Sequence, residues 1–148
     1  MPFDYHKIAM TIEKLEVDII DEFSLFEDWM EKYEYIIELG RELPIIDDKY
    51  KNEEHIIKGC QSRVWLHAAN INGKIQLTAD SDAIITKGII SLLIKVLNNQ
   101  KHKDVINAKM NFIDEIGLKS HLSPTRANGL VEMIKQIKTY ALAYSIKN

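Results

Sequence analysis

The 148-residue chain has one cysteine, three prolines and six glycines, and each scarcity excludes something. A single thiol cannot close an internal disulfide, so a disulfide framework is ruled out and nothing points to an oxidising compartment. No stretch approaches the ~18 to 20 consecutive apolar residues that span a bilayer, and Met1-Pro2-Phe3-Asp4-Tyr5 lacks a basic region followed by an apolar run. The expectation is a cytoplasmic protein without a membrane partner. Lys and Arg are scattered among Asp and Glu at a net charge of −3, which leaves no basic stripe to neutralise a phosphate backbone, so nucleic acid is not an expected partner. No segment is Pro-rich, Gly-rich or low in complexity, and a phosphate-cradling glycine loop, a zincin helix and a nucleophile-elbow serine are all missing.

What is present is a hydrophobic content of 46%, enough for one core, and residues 1–148 read as one domain. Ile8, Ile12, Leu15 and Ile19 repeat at helical spacing and predict a first helix from about Tyr5 into the Phe23 region. Ser24 and Glu27 form a capping-box pattern for a second helix, with Phe26, Trp29, Met30, Tyr33, Ile36 and Ile37 on its buried face and Gly40 and Pro44 closing it. Arg41 to Asn52 is a connection. From Gln61 the period changes to two, with Ser62, Val64, Leu66 and Ala68 on one face and Gln61, Arg63, Trp65 and His67 on the other. Asn72-Gly73 is a turn signal, Ile75, Leu77 and Ala79 alternate again, and the pair predicts an antiparallel hairpin to which His55-Ile56-Ile57 adds a short third strand.

Asp80-Ser81-Asp82 offers capping oxygens to a central helix reaching about Asn98, with Ile84, Ile85, Ile89, Leu92, Leu93 and Val96 packed inward and a polar line of Lys87, Ser91 and Lys95 reaching water. Ser123-Pro124 opens a last helix whose apolar face is Leu130, Ile134, Ile137, Ala141 and Tyr144. Helices, a hairpin, then helices, without strand-helix-strand alternation, define an α+β fold with a small antiparallel sheet packed against helices from both ends of the chain.

Cys60 is the residue that can carry chemistry. A lone cysteine is most often a small buried hydrophobe, but this one follows Gly59 at a turn into a strand, where glycine can take a positive φ and the thiol can move. Its thiolate would be the reagent, with Gln61, Ser62 and Arg63 as local donors. Arg126 opposes the dipole in the first turn of the last helix, and Gly129 costs about 1 kcal/mol inside it, which predicts another chain segment pressed against the backbone there. Asp82 reads first as a helix cap. The five histidines, His121 among them, show no metal-ligand spacing, so neither a metal nor a cofactor is expected.

Four blocks in register carry a family likeness: the Trp29 to Gly40 segment, Gly59-Cys60-Gln61-Ser62-Arg63-Val64-Trp65, Asp80-Ser81-Asp82-Ala83 leading to Lys87-Gly88, and His121 to Leu130 with its Ser-Pro-Thr-Arg run. Together they resemble the SufE family of sulfur acceptors, which implies a SufE/IscU-like fold. The resemblance implies a partner of a cysteine desulfurase of SufS type, which carries the pyridoxal phosphate. Sulfur would pass from its persulfide to Cys60, with stimulation of the desulfurase, and on to an iron-sulfur scaffold. Gly59, Gln61, Asp82, His121 and Arg126 would support the acceptor or the docking surface. The longer first helix and the charged Asp47 to Glu54 connection depart from the family pattern. Two other readings stay open: a desulfurase-binding module that acts allosterically without carrying sulfur, and a stand-alone thiol-dependent enzyme, for which no resolving cysteine or adjacent base is visible.

Overall fold

A computed structural model describes residues 10–147, so the expected start at Tyr5 and the Ile8 position lie outside the described residues. Within them α1 runs Ile12–Ser24 and α2 Trp29–Arg41, followed by two short 3-10 turns at Asp48–Tyr50 and Glu53–His55. The hairpin is β1, Val64–Ile71, and β2, Lys74–Ser81; helices α3, Ile84–Leu97, α4, His102–Asn107, and α5, Phe112–Glu115, follow. A 3-10 turn at Lys119–His121 leads into α6, Pro124–Lys147. The architecture is α+β as expected. Among the described residues no helix is long and apolar enough to cross a membrane.

The hairpin forms as its pattern predicts. Val64 pairs with Ser81 and Ile71 with Lys74, and Asn72 and Gly73 both take positive φ, the turn that matches the twist of two antiparallel strands. Val64, Leu66, Ala68, Ile75, Leu77 and Ala79 are all buried on one face. The expected third strand is replaced by the Glu53–His55 turn and a single bridge from Ile56 to Trp65. The reason is local: the Asn52 side chain accepts from the Glu54 amide and coils the chain before it can extend. On the other edge Ile46 donates to Ala79 O and Ala79 to Pro44 O, while Ile57 donates to Val64 O across from it.

Several helix boundaries differ from the sequence reading. Thr11 caps α1, which continues through Ser24, so the Ser24 hydroxyl donates back to Asp21 O and cannot open α2. The capping box is Asp28 and Glu31: Asp28 accepts from the Glu31 amide at 3.0 Å, and Glu31 reaches back to the Glu27 amide at 3.1 Å. In that first turn Trp29 faces the core, and Met30, counted with the buried face, is 71% exposed. Nor does Asp80-Ser81-Asp82 cap α3. Strand β2 runs through Ser81, so these side chains serve the sheet: Asp80 pairs with Lys51 and Lys87, and Asp82 accepts from the Arg63 amide at 3.0 Å. Ala83 is the residue at the cap position and makes no side-chain cap bond. Ile84, expected inside, is 67% exposed there.

The centre of the molecule is the crossing of α2 and α3. Gly40 does not end α2 but lies within it, where a Cβ would stand 3.2 Å from the Gly88 nitrogen. A Cβ on Gly88 would fall 2.2 Å from Ile36 O. The two backbones touch, which also explains why Ser91, expected at the surface, is buried and donates to Leu39 O at 2.6 Å. α6 packs along β1, its Tyr140 and Tyr144 hydroxyls donating to Leu66 O and Ala68 O. Ser123 accepts from the Arg126 amide and Pro124 takes the first helical position, as the sequence indicates.

Gly88→Ala should therefore separate the helices. We expect a loss of roughly 3 kcal/mol or more, read as a lowered urea midpoint at unchanged slope.

Candidate functional site

Strand β1 starts at Val64 rather than Gln61, and the three residues before it form a bend. Gln61 and Ser62 consequently do not alternate between faces; both line one cleft with Cys60. The cleft has a volume of about 270 Å³, and its other walls are Thr86 and Ile89 of α3 and Thr125, Arg126, Gly129 and Met133 of α6. Gly59, at φ +91°, makes the turn that delivers Cys60 to it. An L side chain rarely adopts that backbone conformation.

Gly129 is the seat of the thiol. A Cβ at this position would lie 3.2 Å from Cys60 Sγ, so its absence admits the sulfur, which is the close approach that the cost of a helical glycine predicts. The thiol donates weakly to Gly129 O at 3.8 Å, and the Asn128 amide donates to Gly59 O at 3.2 Å. Cys60 is half-buried, and its acidity is weakened first by that burial and second by the negative charge of Glu132. Both effects favour the protonated thiol, the form that can donate to Gly129 O.

The structure brings Gly59, Cys60, Gln61 and Arg126 to one place. Asp82 stands outside the cleft: its carboxylate and Asp82 N both bind the Arg63 backbone, which anchors the far end of the Cys60 bend to the start of α3. His121 does not line the cleft either. Its ring stacks on Trp29 at 3.8 Å, its Nδ1 lies 3.0 Å from Gly117 O, and its carbonyl accepts from the Tyr33 hydroxyl, so it fixes the approach to α6 against α2. Sequence reasoning missed Thr86, Met133, Asn128 and Glu132. Asn128 and Glu132 flank Gly129 on one helical face, and that spacing was the available signal once Gly129 was read as a contact point.

Among the described residues no group of three or more His, Cys, Asp or Glu could hold a metal ion. A larger groove, about 1240 Å³, lies between α1 and the junction of α3 with α4, where Lys95, Lys101, Glu16 and Asp104 stand together without a thiol. The chain's one thiol lines the smaller cleft.

The fold and this cleft belong to a protein associated with iron-sulfur metabolism: residues 17–141 match a family model described as SufE, Fe-S metabolism associated domain. The chain is a member of the SufE family. A solved structure, the solution structure of a hypothetical protein from Thermus thermophilus, is similar at a TM-score of 0.73 and 18% identity, covering 87% of this chain and 94% of that one. That likeness is one of fold.

Gly129→Ala tests the seat. The added methyl improves helix propensity by about 1 kcal/mol but displaces the sulfur, so stability should change little while iodoacetamide modifies Cys60 several-fold faster. In the unchanged protein, Cys60 should react more slowly at pH 7.5 than in a peptide spanning Gly59 to Arg63. A raised thiol pKa means a smaller thiolate fraction at every pH below it.

Proposed function

We propose that this protein accepts sulfur on Cys60 from the persulfide of a cysteine desulfurase and passes it toward iron-sulfur cluster assembly. The observation that carries the reading is the chain's single thiol held on a glycine-hinged bend in a half-buried cleft, beside an arginine and against a helical glycine. The partner supplies the pyridoxal phosphate and generates the persulfide. The Cys60 thiolate attacks the outer sulfur; a new S–S bond forms on Cys60, the S–S bond on the partner breaks, and the partner's cysteine leaves as a thiolate. No net oxidation occurs and no co-reactant is required.

The resting geometry suits a carrier rather than a free-standing nucleophile. A protonated, half-buried thiol is protected from oxidants, and the contacts holding it are a long S–H···O bond and one hydrogen bond from the Asn128 side chain to Gly59 O, weak enough for docking to release. Arg126 in the cleft lining would stabilise an anionic sulfur released there, Gln61 would add a neutral donor, and Asp82, bound to the Arg63 backbone, would hold the base of the bend. His121 is exposed beside Trp29 and offers a docking contact.

Incubation with a SufS-type desulfurase and cysteine, without reductant, should add one sulfur atom to the tryptic peptide from Gly59 to Arg63. Cys60→Ser should abolish that gain and the stimulation of the desulfurase together. Full stimulation by Cys60→Ser would replace the carrier by an allosteric module. Cys60-dependent consumption of a substrate without any desulfurase would replace it by a stand-alone enzyme.

A further inference from the structure

The Cys60 bend rests on one face of α6 formed by Asn128, Gly129 and Glu132, and only Gly129 has a counterpart in the sulfur itself. The Glu132 side chain lies directly beneath Gly59: a Cβ built there would stand 2.9 Å from Glu132 Cγ and 3.6 Å from Glu132 Cδ. One turn back, the Asn128 amide holds Gly59 O. Glu132 thus packs against the residue next to the cysteine, with a charge opposite in sign to what an activated thiolate requires. The charge that acts on Cys60 is that of Glu132; Arg126 of the same helix is exposed and lines the cleft, and the groups offered by the bend and by α3 are the uncharged Gln61, Ser62 and Thr86.

We infer that Glu132 is a positioning residue that keeps Cys60 protonated while the bend lies on α6, and that Asn128 is the latch holding the bend in that position. Departure of the bend breaks the Asn128 bond and removes the sulfur from the carboxylate, so formation of the thiolate is tied to release, with the proton passing to solvent. Burial and the Glu132 charge act in the same direction on the seated thiol, and both fall away when it leaves the cleft. The inference rests on reading Cys60 as the acceptor, but its test uses this protein alone and can fail independently of sulfur transfer.

Because the chain has one cysteine, 13Cβ-cysteine labelling gives a single resonance whose shift follows its titration. The midpoint should fall in the order unchanged protein, Glu132→Gln, Glu132→Lys, with the glutamine variant lower by about half to one pH unit. A glutamine midpoint equal to that of the unchanged protein overturns the positioning role, and this isosteric variant decides the matter if the lysine variant does not fold. Asn128→Ala should raise the rate of iodoacetamide modification of Cys60 about fivefold at pH 7.5, as loss of one ordinary hydrogen bond implies. An unchanged rate removes the latch. Titration in the expected order with no sulfur accepted from a desulfurase would leave the positioning intact and overturn the carrier function alone.

Discussion

The bare backbone contact between α2 and α3 is the constraint on which the rest of the molecule depends. Gly88 brings α3 against Ile36 O, closer than any side chain would permit, and the buried Ser91 hydroxyl ties the next turn to Leu39 O. With that crossing fixed, α3 presents Thr86 and Ile89, on either side of Gly88, as one wall of the cleft. α6 supplies the rest of the wall, and the hairpin turns its one apolar face inward on the core. The dimensions of the thiol's seat thus follow from two glycines in two helices, Gly88 setting the position of α3 and Gly129 making room on α6.

Electrostatics divides the surface around that seat into two regions. Asp80 bridges Lys51 and Lys87, joining the charged connection, β2 and α3 through one carboxylate on the side of the hairpin where Lys51 lies over Trp65. Such partly exposed pairs add little energy singly, but here they connect three segments distant in sequence. Around the thiol the charges come from α6: Glu132 weakens the acidity of Cys60, and Arg126, nearly two turns away, lines the cleft. Neither is bound to the other among the described ion pairs.

Much of this was legible in the residues. Alternation on both sides of Asn72-Gly73 determines the hairpin and its buried face, Ser123-Pro124 marks the start of α6, and the cost of Gly129 in a helix points to the segment that presses on it. The features that were not legible depend on tertiary contacts. Asp82 has the composition of a cap, yet β2 extends far enough that its carboxylate is taken by Arg63 N. Ser91 sits in a polar line by sequence, yet the close crossing at Gly88 buries it. Glu132 looks like any helical surface glutamate, because nothing local reveals that Gly59 will lie on it. In the same way His121, adjacent in sequence to the Arg126 segment, is directed to Trp29 by a turn that only the folded chain defines.

The short segments laid along both edges of the hairpin have a consequence for how a partner is recognised. A two-stranded ribbon ordinarily offers rows of free amides and carbonyls that any extended chain can extend by strand addition. Near the cleft those groups are already occupied, Ala79 by Pro44 and Ile46 on one edge and Val64 by Ile57 on the other. A protein surface that docked at this end would consequently be selected by side-chain shape and charge, which distinguish one surface from another, more than by backbone pairing, which accepts almost any sequence.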